Sequence, residues 1–450
     1  MRHNKEEFMR TMKRVAAVAL SVVVLMTSGV SAKAAVTDVQ PAKSSSEAVL
    51  KWAKKVGEPF DEKTYANNTV SKIKLVGNYL YVADDAKHRI MKIDKKDGTI
   101  LKEQKYCDES YIQGYVSSIG YGDGKVYVGY DNGRVQAFDE NTLESLWITD
   151  ENKNAINSDF VFTNGKLYFG TTAKTTDWYD NGAPFSYYVV TTSDDDKTKP
   201  DEEKTMKKVV ESKTGKFYLK KGVVLGKYIV ISDTAGTLTM IDTTNDKVTD
   251  TKDIGEAFSG NITYDEMTGT IYFVAGTNDL YGIKVSADGK LKDEKKVRLY
   301  ETGYSSTTPE VYNGKVYVSG SKGKAFQDKG YMAVADVSSD KYKVNYTVEL
   351  SNYSQCEPTI VKTGENSVRV YFTINDEPGG IYAIEDSKDA TSATLETVYE
   401  PTGDIKNTGC MSDVVVDEDG TIYFANDSKY IMSVGKKVED TTKSDVITVK

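Results

Sequence analysis

Apolar and polar positions alternate along this chain in short runs, and the runs recur. A Gly or Asn turn, or in one copy Val368, opens a strand with a central Tyr or Ile eight times. The copies are Asn78-Tyr-Leu-Tyr81-Val, Gly124-Lys-Val-Tyr127-Val, Gly165-Lys-Leu-Tyr168-Phe, Gly226-Lys-Tyr-Ile229-Val, Gly269-Thr-Ile-Tyr272-Phe, Gly314-Lys-Val-Tyr317-Val, Val368-Arg-Val-Tyr371-Phe and Gly420-Thr-Ile-Tyr423-Phe. Period two with β-branched and aromatic residues, punctuated by Asp-Gly or Asn-Gly, predicts antiparallel hairpins. No stretch beyond the first 34 residues sustains a helical period.

Three further strands surround each Tyr strand. Before it lies an apolar segment such as Lys72 to Val76, Thr359 to Val361 or Asp413 to Val416, expected to be the innermost strand. After it comes a strand ending in Asp94, Asp139, Asp242 or Asp336, then a polar outer strand such as Thr99 to Lys102 or Leu143 to Trp147. Successive central positions are 46, 41, 61, 43, 45, 54 and 52 residues apart, the period of a four-stranded propeller blade. One blade cannot bury both faces of its sheet, so the repeats are expected to stack into one all-β ring of eight blades. The last repeat lacks an outer strand. Ala48 to Val56, with Trp52 matching Trp147, is expected to supply it from the N-terminus, and Asp445 to Val449 is the other candidate.

Composition then sets the compartment. Arg2, Lys5, Arg10, Lys13 and Arg14 precede an apolar run from Val15 to Met26, and Ala32-Lys33-Ala34 offers small residues for cleavage. This reads as a signal peptide, 1–34, cleaved near Ala34. It is too short to span a bilayer, and no later segment is long enough. The expected layout is 35–69 with the ring-closing strand, 70–438 as the propeller and 439–450 as a C-terminal tail. A secreted or envelope location follows, without the Cys of a lipid anchor. The chain of 450 residues carries a net charge of -9, which becomes -13 once six Lys or Arg and two Glu leave with the leader. The charge is dispersed and no basic block exists, so nucleic acid is not an expected partner.

The motif from Gly124 to Gly129, followed by Gly133-Arg-Val-Gln-Ala-Phe-Asp139 and Leu143-Glu-Ser-Leu-Trp147, resembles the repeat unit of the quinoprotein-alcohol-dehydrogenase-like, or PQQ-like, propellers. The likeness covers nearly the whole mature chain. Catalytic members imply a quinone at the ring centre, held by a Trp, a disulfide of adjacent Cys, a Ca²⁺ on Glu, Asn and Asp, and a catalytic Asp. This sequence has no Cys-Cys pair, and Trp52, Trp147 and Trp178 fall in outer strands or a loop, so no cofactor is expected. The family's second mode is a non-catalytic scaffold that grips peptides.

Other chemistry is scarce. His88, the single His of the mature chain, falls in a polar turn, which leaves no Ser-His-Asp device and no His or Cys metal cluster. Cys107, Cys356 and Cys410 are too scattered for a disulfide framework; a Cys356–Cys410 bond is one reading of an oxidising compartment and small buried thiols the favoured other. Asp194 to Asp196 with Asp201 to Glu203 lacks a Ca²⁺-loop spacing and is expected to be a solvated loop. The strand-ending Asp residues are expected to accept turn N–H groups, and the Tyr stripe to pack between blades. No catalytic and no metal-binding residue is assigned.

Long loops give the remaining signal. The connections between the second and third strands and those between blades emerge on one face, and there lie Trp178, Tyr179, Phe185, Tyr111, Tyr115, Tyr304, Phe326 and Tyr353. These aromatics form the candidate ligand-binding set. The chain is thus expected to be a secreted, monomeric, non-catalytic binding propeller for an extracellular protein, peptide or glycan. The alternatives are a glycan-active hydrolase or lyase or degenerate quinoprotein, which predicts convergent carboxylates or a cation at the channel mouth, and a structural envelope scaffold.

Overall fold

A computed structural model describes residues 39–57, 72–84, 87–106, 119–174, 183–194, 202–323, 328–407 and 409–437. Eight sheets follow one another along the chain, and in the first seven the strands are hydrogen-bonded in sequence order from the inner to the outer edge. Blade 1 runs from the inner strand Lys74–Val76 through Tyr79–Asp84 and Arg89–Asp94 to Ile100–Lys105, every neighbour antiparallel. Among the described residues, the only helical element is a 3-10 turn at Gly403–Ile405, and no helix is long and apolar enough to cross a membrane.

The seam closes with the N-terminal strand. Ala48–Lys55 pairs antiparallel with Tyr430–Lys436, making the fourth strand of blade 8. Trp52 is buried there at 6.0 Å from the ring of Tyr423, and its indole N–H donates to the Lys95 carbonyl of blade 1 at 3.1 Å. Trp147 holds the same place in blade 2, 5.7 Å from Tyr127. The shared Trp motif in two outer strands therefore reflects one packing role.

Burial follows the alternation. Tyr81, Tyr127, Tyr168, Tyr272, Tyr317, Tyr371 and Tyr423 are among the largest fully buried or nearly buried side chains. A buried phenol needs a partner, and Tyr168 donates to Asp246 at 2.7 Å, Tyr317 to Asp386 at 2.8 Å and Tyr423 to Asp417 at 3.0 Å. Blade 4 shifts the expected register by one residue. Its two-residue turn is Gly226-Lys227, since Leu225 pairs with Tyr228, so Val230 and not Ile229 occupies the central position. A one-residue slip exchanges the faces of a strand, and both residues are fully buried in this sheet.

The turn aspartates act as expected. Asp94 accepts the Lys96 N–H at 2.8 Å, Asp139 those of Asn141 and Thr142 at 2.8 Å, Asp242 that of Thr244 at 2.9 Å and Asp336 that of Ser338 at 3.0 Å. The acidic insertion between Phe185–Thr191 and Lys207–Ser212, the last two strands of blade 3, departs from a purely solvated loop. Glu202–Lys204 adds a fifth, parallel strand to blade 2 beside Ser145–Thr149, and Asp194 lies 3.5 Å from the buried Lys125 ammonium. Free main-chain groups on an outer strand are a template for such an addition, and pairing gives this acidic segment a place on the rim.

Candidate functional site

In each blade one inner-strand residue pairs with the central position, and counting back from it exposes a pattern. The pairs are Lys74 with Tyr81, Gly120 with Tyr127, Val161 with Tyr168, Val223 with Val230, Thr263 with Tyr272, Glu310 with Tyr317, Thr359 with Tyr371 and Val415 with Tyr423. Three residues upstream stands a hook. Ser158 accepts the Gly170 N–H at 2.8 Å, Cys356 that of Thr373 at 3.2 Å and Ser412 that of Ala425 at 3.1 Å, while the Thr307 hydroxyl donates to the Ser319 carbonyl at 3.0 Å. Each partner lies two residues beyond the central Tyr, so the hook pins the start of the inner strand to its own blade.

Blade 4 replaces the hook with Lys220. This buried ammonium donates to the carbonyls of Phe258 at 2.9 Å and Gly260 at 2.6 Å, reaching into blade 5. Burial, only partly opposed by Asp233, pushes its pKa down to about 7.

Two residues upstream of the reference the chain enters the channel. The residues there are Lys72, Asp159, Lys221, Asn261, Thr308, Glu357 and Asp413. Their contacts join both neighbouring and non-adjacent blades. Lys72 Nζ lies 3.2 Å from Asp413 of blade 8 and 3.8 Å from Asp159 of blade 3, and Lys221 Nζ of blade 4 lies 3.1 Å from Glu357 of blade 7. The Glu357 N–H donates to Asp413 at 2.7 Å, and the Lys221 N–H to the Asn261 side-chain oxygen at 3.0 Å. Glu310, 2% exposed, adjoins Glu357, and two carboxyl groups brought together disfavour the ionisation of one of them.

The electrostatics follow from that geometry. Burial and the adjoining Glu357 hold the Glu310 carboxyl well above its ordinary range, against the pull of Lys221. Burial also disfavours the Glu357 carboxylate, yet Lys221 and Lys72 outweigh it and hold that group below the usual range. Asp413 is raised by burial, with Lys72 opposing and Glu357 adding to the shift. Burial opposes the Lys72 charge, but Asp159, Asp413 and Glu357 carry its pKa above the normal lysine value. Lys74 is exposed to the channel although protein surrounds it; that enclosure and the Lys221 charge depress its amine.

The quinone that the repeat resemblance implies does not fit these residues. Ion pairs of Lys72 with Asp413 and of Lys221 with Glu357 occupy the mouth, Trp52 and Trp147 are buried in outer strands, and adjacent Cys residues are absent from the sequence. Cys356 and Cys410 are both free and buried, as the favoured reading had it. His88 occupies its turn with a positive φ of 49° and its ring stands edge-on to Tyr106 at 6.3 Å. Among the described residues, no cluster of three or more His, Cys, Asp and Glu is arranged to hold a metal ion.

Of the candidate aromatics, three fall on described residues. Phe185 is 1% exposed and packs in the core between blades 3 and 4 with Tyr168 and Phe217. Tyr304 and Tyr353 are half-buried on the connections leading to Glu310 and Glu357; Tyr304 exchanges backbone bonds with Ser321, and the Tyr353 phenol accepts from Asn375. Trp178, Tyr179, Tyr111, Tyr115 and Phe326 lie outside the described residues, as do Cys107, the 1–34 leader and the 439–450 tail. The sequence reading passed over the charged mouth. Its signal was the polar residue at a fixed offset before successive inner strands, which Lys72 and Asp413 already displayed.

No family model matches the sequence, and no curated protein matches it. Solved structures do. BamB from Moraxella catarrhalis is similar over 86% of this chain and 99% of its own, with a TM-score of 0.57 and 11% identity. A quinohemoprotein alcohol dehydrogenase from Comamonas testosteroni aligns over 88% of this chain and 78% of its own, with a TM-score of 0.60 and 10% identity. Another, ADHIIG from Pseudomonas putida HK5, aligns over 92% and 80%, with a TM-score of 0.58 and 11% identity. Identities this low carry the fold and no activity. By its blade order, its N-terminal closing strand and this likeness in three dimensions, the chain adopts the PQQ-like eight-bladed β-propeller fold.

Proposed function

We propose that this chain is a secreted or envelope-located, non-catalytic propeller that captures an extracellular protein, peptide or glycan through the face where its blade-to-blade connections emerge. The observation supporting the reading is the convergence on one face of the connections bearing Tyr304 and Tyr353 with the charged mouth formed by Lys72, Lys221, Glu357 and Asp413. Aromatic and charged groups on loops of a rigid ring are the composition of a recognition surface. The lysines and carboxylates of the axis are engaged largely with one another, which suits a scaffold better than a turnover site.

The test is capture from native medium and envelope extracts together with a glycan array, using wild type and the double variant Trp178→Ala, Tyr179→Ala. Weakened capture at an unchanged melting temperature supports the loop face, and unaltered capture overturns that assignment. A second reading, a glycan-active hydrolase or lyase, draws on Glu310 and Glu357, whose pKa values are driven apart as acid and base partners are. Turnover of a glycan by wild type that Glu310→Gln abolishes would favour it over the binding reading.

A further inference from the structure

The three lysines of the mouth are not equivalent. Lys72 has two carboxylates within ion-pair reach and Lys221 has one, whereas no described carboxylate lies at that distance from Lys74. Lys74 is also exposed, and it stands two residues beyond Lys72, about 6.5 Å further along the inner strand. Its strand forms the inner edge of blade 1 and touches the inner strand of blade 2, which puts Lys74 on the axial side of the ring and not on the outer rim; the charges of Lys221, Asp159, Glu357 and Lys72 act on it there.

The charges around it are close to balance. Asp159, Asp413 and Glu357 supply three carboxylates, and Lys72, Lys74 and Lys221 supply three ammonium groups. Two of those cations are neutralised by contact and the third is not, so Lys74 is repelled by two ammonium groups without a contacting counter-charge. A ligand that brings one removes that repulsion. Lys72 and Lys221 keep side-chain exposures of 40% and 34% and can turn a donor toward the same ligand.

We propose that the axial channel binds a small oxyanion, a carboxylate or phosphate group, with Lys74 as its principal contact and Lys72 and Lys221 flanking it. The site lies in the same charged mouth as the proposed recognition surface, but it rests on Lys74 and not on the loop aromatics, so anion binding and macromolecule capture can fail independently. Asp159 and Glu357 border the same space and exclude bulky polyanions, because each further negative charge meets a carboxylate.

Calorimetric titration of the mature protein with sodium acetate and with inorganic phosphate, each against chloride at equal ionic strength, tests this. Saturable binding of one or both is expected, and the comparison separates carboxylate from phosphate preference. Lys74→Met should weaken the affinity tenfold or more and Lys74→Arg less than threefold, while Lys102→Met, on the exposed outer strand of blade 1, should leave it unchanged. The proposal is overturned if neither anion gives saturable heat, or if wild type and Lys74→Met bind equally. Circular dichroism melts in chloride confirm that each variant is folded, and loss of binding in Lys74→Arg as well would exclude a simple cation contact.

Discussion

Lys221 of blade 4 and Glu357 of blade 7 meet at 3.1 Å across the ring axis, although their sheets share no strand pairing. Propeller blades are ordinarily coupled to their neighbours by packed faces, as repeat stability is a sum of unit and nearest-neighbour terms. An ion pair across the axis adds a coupling between non-adjacent units. It also brings together the blade 6 acid, Glu310, and the blade 8 acid, Asp413, through Glu357.

Breaking that pair should be felt by the whole ring. Glu357→Gln removes the partner of Lys221 and the counter-charge of Lys72, at a site intermediate between exposed and buried. A loss of about 1–3 kcal/mol is expected, between the values for surface and buried pairs. A double-mutant cycle with Lys221→Met, read by denaturant unfolding, should give a coupling larger than about 0.5 kcal/mol; additivity would show the pair to be energetically idle.

Stability should depend on pH through Glu310. Its folded pKa is raised, so the folded state holds a proton that the unfolded chain has released. The contribution is complete below the ordinary glutamate range and is lost as pH rises toward the folded value. Glu357 acts in the opposite sense, its lowered pKa contributing above the unfolded value and fading as pH falls. Glu310→Gln retains a neutral hydrogen-bonding group, so its melting temperature should fall less than that of wild type as pH is raised from 4.5. Parallel curves would show that Glu310 ionises freely.

The seam rests on Trp52. A β-carbon at Gly98, whose φ is +73°, would lie 2.7 Å from the indole ring, so the turn between the third and fourth strands of blade 1 and the closing strand of blade 8 fit each other closely. Trp52→Ala empties that place and leaves the Lys95 carbonyl with the Tyr423 hydroxyl as its donor, and about 3–5 kcal/mol should be lost. Gly98→Ala combines a steric clash with an unfavourable φ and should destabilise by about 1–3 kcal/mol. Thermal melts check both, and an unchanged melting point in Trp52→Ala would mean that the strand does not hold the ring closed.

Cys356 should prove to be a hydrogen-bonding hook and not a redox group. Its sulfur accepts the Thr373 N–H at the position where Ser158 and Ser412 act in other blades. Cys356→Ser is expected to fall within about 1 kcal/mol of wild type, while Cys356→Ala leaves the N–H unmatched and should cost about 1–3 kcal/mol. Reducing agent should not move the melting temperature, since burial holds the thiol above its normal range and both cysteines are free.

The repeat, its blade count and the closing role of Trp52 were legible in the sequence because period-two alternation and turn chemistry are local properties, encoded within a few residues of each strand. So was the turn role of Asp94, Asp139, Asp242 and Asp336, since an Asx turn needs only its own backbone. The slip at blade 4 was not, because only the pairing of Leu225 with Tyr228 reveals which residue of Gly226-Lys227 begins the turn. Nor was the burial of Phe185, which depends on Phe217 and Tyr168 packing around it. The axial cluster required closure of the ring. Lys221 and Glu357 lie 136 residues apart and belong to units that touch only through the channel, so their contact follows from the radius and order of the blades and from nothing that either repeat contains.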